Sequence, residues 1–272
     1  KLSTVDLMQR YIEEVAPAHK GGAIEIGRLR RMISTQEFLQ KPLAMLQTVD
    51  LQDYIKERLE EVAPATVDRD IDVISQVLNY ASDVWKIAPS ENPLKGVKRP
   101  KYYNERDRRL LAGEEEALLK AARESGTPYV EPMIIFALET AMRRGELLAL
   151  RWENIRLADR VAHLPMTKNG KWRNVPLSSK AVQVLKALPR ALRGPVFPMT
   201  ANAVKLGVVR ALKRARQRYE QDGGTDDRML VDLKLHDLRH VAVTRLAEKL
   251  PNIVELASVS GHTDVRVLRR YY

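Results

Sequence analysis

The chain has 272 residues, 44% hydrophobic and 30% charged, with a net charge of +11 and no cysteine. That length suits one large domain or two ordinary ones, and no apolar run approaches the ~20 residues that a membrane-spanning helix needs. Without cysteine there are no disulfides, thiolate metal sites or cysteine nucleophiles, and with no secretory signal the expected compartment is the cytoplasm. The charge is uneven. Residues 1–100 carry 14 Lys and Arg against 15 Asp and Glu, while residues 101–272 carry the remaining 32 against 20. A basic half of this kind favours a polyanionic partner, nucleic acid first. Lys1 and not Met stands first, as expected of a trimmed copy.

Four amphipathic helices are predicted in the first hundred residues. Ser3 caps one running to position 15, with Leu7, Met8, Tyr11 and Ile12 as its apolar stripe. The second covers 23–39. The third starts at Asp50 and places Leu51, Tyr54, Ile55 and Leu59 on one face. Pro64 opens the fourth, whose Val67, Ile71, Ile74, Val77, Leu78, Ala81 and Val84 recur at helical spacing until Pro89 and Pro93 stop it. Four such helices can make an independent bundle over residues 1–94. The stretch KGVKRPKYYNERDRR (95–109) holds seven basic and two acidic residues and reads as an exposed linker, assigned to 95–106. Its Lys98, Arg99 and Lys101, among tyrosines, suit a strap along a nucleic-acid backbone.

From 107 onward the pattern is mixed. Helices are predicted at 113–123, 132–139 and 143–150, then short strands at 154–157, 161–164 and 172–175, with Lys168 at a hairpin tip. Helices resume at 179–188 and 202–221. The latter carries Lys205, Arg210, Lys213, Arg214, Arg216 and Arg218, of which Arg210, Lys213 and Arg214 are the candidate DNA contacts. The segment LKLHDLRHVAVTRL (233–246), a helix at 252–259, Gly261–His262 and a last short helix complete the chain. Trp85, Trp152 and Trp172 are expected in the core or hairpin packing. His19 and His163 carry no expected role.

His236, Arg239 and His240 share a helix face. A zinc site of His236, His240 and His262 is one reading, but Arg239 on that face would repel a dication and a basic domain is a poor host. No metal and no cofactor are therefore expected. A phosphate uses Arg239 instead of working against it, since a guanidinium can hold two oxygens while a histidine donates to the same group. Arg143 with nearby Glu146, Lys168, His262 and Tyr271 widen that set, and tyrosine is among the side chains that can attack phosphorus without a metal.

These boxes together resemble the tyrosine recombinase, or phage integrase, family. The first reads Thr140–Ala141–Met142–Arg143–Arg144–Gly145–Glu146, with Ala141 where the family commonly has Gly. The next fall on Lys168, on His236–Asp237–Leu238–Arg239 and on Gly261–His262, with Tyr271 nine residues further on. The opening YIEEVAPAHKGG is similar to the integrase and shufflon-invertase branch. The resemblance implies a mostly α fold with a small antiparallel β-sheet. It implies a helical, SAM-like core-binding domain (1–94) and a catalytic domain (107–272), closing as a C-shaped clamp on DNA.

Implied roles follow for a cut-and-rejoin reaction that needs no ATP and no metal. Arg143 and Arg239 hold the non-bridging oxygens, with His236 and His262 donating further hydrogen bonds. Tyr271 attacks phosphorus to give a 3′-phosphotyrosyl bond. His236 could take its proton, and Lys168 protonates the departing 5′-oxygen. The implied partners are double-stranded DNA crossover sites. The protein would be monomeric when free and a homo-tetramer in the synaptic complex, with no membrane contact. His240 is expected to pack or to make a secondary phosphate contact, and Tyr272 competes with Tyr271 as nucleophile. The rivals are type IB topoisomerase-like relaxation and a catalytically silent DNA-binding protein. The family also implies a further helix beyond the nucleophile, where this chain stops at Tyr272.

Overall fold

A computed structural model describes residues 2–89, 91–103, 106–165 and 172–272. The chain divides into two compact units, residues 1–105 and 106–272.

The first unit is helical. Helix α1 (Thr4–Glu14) begins at a capping box, in which Ser3 Oγ accepts from Asp6 N at 3.2 Å and the Asp6 carboxylate accepts from Ser3 N at 2.7 Å. Helix α2 (Gly22–Thr35) is shorter than the predicted 23–39. The hydroxyls of Ser34 and Thr35 both turn back to Arg31 O at 2.9 Å, competing with helical bonding, and residues Glu37–Gln40 form a separate 3-10 turn. Helix α3 (Thr48–Glu61) starts two residues before Asp50, which instead closes its N-terminus. Helix α4 (Pro64–Asp83) stops before Pro89, and Lys86 turns the chain at φ 58°. Leu59 and Val84, predicted on core faces, are exposed. The core joins Leu7, Met8, Leu29, Met32, Leu51, Ile71, Ile74 and Val77. Each such buried side chain contributes about 1.5–3 kcal/mol.

Asp70 on α4 is fully buried at the centre of this bundle. It accepts from Tyr54 Oη at 2.7 Å, from Arg31 at 2.8 Å and from Arg28. Burial alone would raise its pKa; the hydrogen bonds from Tyr54 and Arg28 and the charge of Arg31 outweigh burial and hold it below the usual carboxylate range. Removing one partner of a buried ion pair costs ~3–5 kcal/mol, and because these arginines still reach water the low end applies. Asp70→Asn should therefore lose about 3 kcal/mol in chemical denaturation of the full chain; an unchanged midpoint would contradict the assignment.

Most described residues of the predicted linker are exposed, and the boundary between the two units falls within its range. Its described part is laid against the first unit. Thr48 Oγ1 donates to Lys95 O at 3.0 Å, Gln52 pairs with the backbone of Lys98, Arg99 bridges Asp68 and Asp72, and Tyr102 Oη donates to Asp68 at 2.9 Å. Acidic residues on α4 hold the basic strap along the helix.

In the second unit, helix α6 (Val130–Thr140) is apolar nearly all round and packs against α5 (Glu114–Arg123), α8 (Ser179–Ala187), α9 (Ala201–Gln221) and α10 (Leu235–Lys249). A helix with no polar face belongs at a centre. The short α7 (Arg144–Ala149) follows it. Strands β1 (Ile155–Arg156), β2 (Val161–Leu164) and β3 (Arg173–Pro176) pair antiparallel in chain order. Period-two alternation buries Ala162, Leu164, Arg173 and Val175 on one face, with Leu164 opposite Arg173. Helix α11 (Ile253–Ser260) and a 3-10 segment (Val265–Tyr271), in place of the predicted last helix, end the chain. Trp152 is buried, whereas Trp172 is 67% exposed and takes the hairpin option of its expected role: it precedes the first paired residue of β3 and its ring meets that of His163 on β2 at 6.0 Å.

Candidate active site

Helix α6 ends at Ala141, which is buried and adopts φ 52°, ψ 23°. A left-handed alanine costs ~1–2 kcal/mol over glycine in sterics, offset by its buried methyl and by a less flexible unfolded chain. Alanine is thus tolerated where glycine would be expected. The reversal carries the chain into Arg143, the residue preceding α7.

Glu146, buried on α7, organises the cations. It accepts from Arg143 N at 2.7 Å, from Arg143 Nη1 at 3.1 Å, and from both terminal nitrogens of Arg173 at 2.9 Å each. Burial would raise its pKa, but Arg173 and Arg143 outweigh burial and lower it. Arg173 was missed by sequence reasoning. Its signal was the alternation of β3, which puts it on the inward face beside Val175.

Arg239, 5% exposed on α10, donates to Ala141 O and, at 2.7 Å, to Ser260 O. Arg143 donates to the next carbonyl, Gly261 O, at 2.7 Å. Two guanidiniums separated by 96 positions in the chain thus grip adjacent carbonyls at the C-terminus of α11, the negative end of its dipole. Burial and Arg143 push the Arg239 pKa down to about 10. Gly261 permits this approach: it sits at φ 72°, and a Cβ there would lie 1.8 Å from Arg173 Nη1. Three guanidiniums against one carboxylate leave the pocket with an excess of about two positive charges, a standing demand for an anion.

The histidines divide. Ser260 Oγ donates to Leu256 O at 2.6 Å, so it receives the proton of His262 Nδ1 at 2.7 Å, and His262 Nε2 faces Arg239 as an acceptor at 3.4 Å. Burial, then Arg239 and Arg143, push His262 down to about 4, so it is neutral here. His236 is exposed, and partial desolvation and Arg239 lower its pKa. His240 meets Tyr271: Nδ1 lies 2.5 Å from Oη, and the rings are near-parallel at 23°. Burial raises the Tyr271 pKa, partly countered by Arg270 and Arg239. Tyr272 turns away and donates to Leu250 O at 2.5 Å.

Asp237 is engaged within the protein. It is fully buried, holds Lys234 N at 2.8 Å and receives a two-pronged bond from Arg106 at 2.9 Å per contact. Arg106 O accepts from Arg270 at 2.9 Å, which ties the segment bearing Tyr271 to the start of α10. Among the described residues no three His, Asp or Glu side chains are grouped to hold a metal ion. Lys168 lies outside the described residues. A cavity of about 590 Å³ adjoins the pocket, lined by Trp172, Arg173, Asn174, Val254, Ala257, Ser258, Gly261, His262, Thr263 and Val265.

Of the candidate DNA contacts, Lys98, Lys101, Arg210 and Lys213 are exposed. Arg99 is held by Asp68 and Asp72, and Arg214 donates to Ala121 O at 2.9 Å, so these two are engaged within the protein.

Fold and pocket together define a mostly α-helical unit in which a cluster of guanidiniums lies near a phenol. The model of the phage integrase family matches residues 108–272. A shufflon-specific DNA recombinase of Escherichia coli is 37% identical over 282 residues, covering 100% of this chain and 69% of that protein. Among solved structures, the Tn1549 transposon integrase in complex with a circular intermediate DNA superposes with a TM-score of 0.77 at 17% identity, covering 100% of this chain and 95% of that one. A lambda integrase tetramer bound to a Holliday junction gives 0.79 at 18% identity, covering 99% and 77%. The chain belongs to the phage integrase family, the tyrosine recombinases.

Proposed function

We propose that the protein is a site-specific recombinase that cleaves and rejoins duplex DNA through a 3′-phosphotyrosyl intermediate on Tyr271. The observation that carries this reading is the overcharged pocket of Arg143, Arg173 and Arg239 beside the Tyr271 hydroxyl. A phosphodiester entering it meets guanidinium donors already fixed in place, which stabilise the charge that builds on the non-bridging oxygens as Oη attacks. The P–O5′ bond breaks, the electron pair leaves on O5′, and Lys168 is the assigned proton donor. His236, at the rim, is assigned a donor role to the same phosphate. Arrival of the phosphate raises the His262 pKa and lets its Nε2 donate as well.

Lys98, Lys101, Arg210 and Lys213 are assigned to the DNA backbone, with Arg99 and Arg214 as held neighbours. The E. coli relative favours inversion of DNA segments. Exchange between two duplex crossover sites calls for four active sites, hence a homo-tetramer on DNA, the state of the lambda integrase neighbour. Action in the cytoplasm fits this reading, and among the described residues no helix is long and apolar enough to cross a membrane.

Nicked suicide duplexes tiled across the DNA adjoining its own gene provide the test. A covalent protein–DNA adduct should form, vanish in Tyr271→Phe and persist in Tyr272→Phe. An adduct that survives the first change would overturn the assignment, and relaxation of plasmids without any crossover site would favour a topoisomerase.

A further inference from the structure

We infer that His240 is a catalytic residue, the group that takes the proton from Tyr271 as it attacks and returns it on religation. This rests on the reading of Tyr271 as nucleophile. Three histidines surround the pocket, and geometry separates them. His262 is committed through Nδ1 to Ser260 and through Nε2 to Arg239. His236 makes no hydrogen bond to Tyr271 and meets His240 edge-on at 5.0 Å. Only His240 touches the reacting oxygen, at 2.5 Å. For His240 to take that proton, Tyr271 Oη must donate to an unprotonated Nδ1, which makes the required tautomer Nε2–H.

The charges nearby explain how such a base works. On its own helix His240 is flanked by His236, Asp237 and Arg239; across from it stand Arg270 and Tyr271, with Asp107 and Arg109 close to that phenol. Desolvation, then His236 and Arg270, keep it neutral and able to accept. A bound phosphate adds negative charge and makes the imidazolium easier to form. In the step, the Oη–H bond breaks, its proton moves to Nδ1, the Oη–P bond forms and the P–O5′ bond breaks, with O5′ taking a proton from the general acid. Religation reverses each transfer, and the imidazolium reprotonates the departing phenolate.

The test is single-turnover cleavage of a nicked duplex from pH 7 to 9 by wild type and His240→Gln. Wild type should be nearly flat, because the neutral histidine is fully available above its pKa. His240→Gln should be slower by about 10² or more at pH 7. Its rate should climb about tenfold per pH unit, because Tyr271 must then ionise unaided. Imidazole added to His240→Gly should restore a flat profile. A His240→Gln profile that overlays wild type sinks the inference and leaves the recombinase reading intact. Wild type that forms no adduct at any pH removes both, since His240 would have no attack to serve. Independently of DNA, nitrogen-15 NMR of the free protein should show His240 as the Nε2–H tautomer at neutral pH; an Nδ1–H tautomer refutes the inference.

Discussion

Arg239→Met is expected to reduce single-turnover DNA cleavage by about 10³ while lowering the melting temperature by only a few degrees. Loss of one preorganised oxyanion donor typically costs ~10²–10³, and Arg239 presents a planar fork that a thioether cannot imitate. Stability responds differently because two terms oppose. The carbonyls of Ala141 and Ser260 lose their donor, at ~1–3 kcal/mol each. Against this, the fall of the Arg239 pKa to about 10, more than two units below an ordinary guanidinium, marks a cation that folding disfavours. At about 1.4 kcal/mol per unit, removing it recovers roughly 3 kcal/mol. For a cation, a depressed folded-state value is a cost at pH 7, so its removal is a gain. A variant that unfolds outright, or one that cleaves at the wild-type rate, would contradict this balance.

Glu146→Gln is expected to behave in the opposite sense, with stability collapsing first. Three buried or half-buried guanidiniums would share a pocket with no counter-charge. Breaking such a pair costs ~3–5 kcal/mol, which for a unit of this size lowers the melting temperature by about 10 °C. Inorganic sulfate should restore part of the loss by occupying the pocket, since a ligand that binds only the folded state stabilises it. The same carboxylate sets a pH dependence. Its folded pKa is lowered from 4.5, so its contribution is fully present above that value and is lost as pH falls through the lower folded value. Thermal melts of wild type should therefore steepen their decline below pH 4.5, and those of Glu146→Gln should lack that component. Equal melting temperatures for the two proteins would remove Glu146 from the centre of the site.

The grouping of Arg143, Arg239, His262 and Tyr271 was legible in the boxes because the proposed chemistry restricts residue types. A pocket for a phosphodiester needs fixed cations, and a metal-free attack needs an oxygen nucleophile. Helix α6 was legible as an apolar run too long for a strand, and β2 and β3 as short β-type runs flanking a turn. Arg173 was not, since with Trp172 expected to pack, strand alternation turns the next residue outward until the register with Leu164 places it inside. From sequence His240 reads as packing or a secondary phosphate contact, because a helix face alone cannot say which histidine the returning C-terminal segment meets. The contacts of the strap at 95–102 were not legible because its partners, Asp68 and Asp72, lie a helix away in sequence. Tertiary pairing of charges, more than local propensity, accounts for what the sequence concealed.

The most direct measurement is a crystal structure of the Tyr271→Phe chain bound to a nicked crossover site. Arg143 and Arg239 should each donate to non-bridging oxygens of one scissile phosphate, with the ring of residue 271 placed for in-line attack. Arginines that grip two different phosphates, or a scissile phosphate lying outside the pocket formed around Glu146 and Gly261, would contradict it.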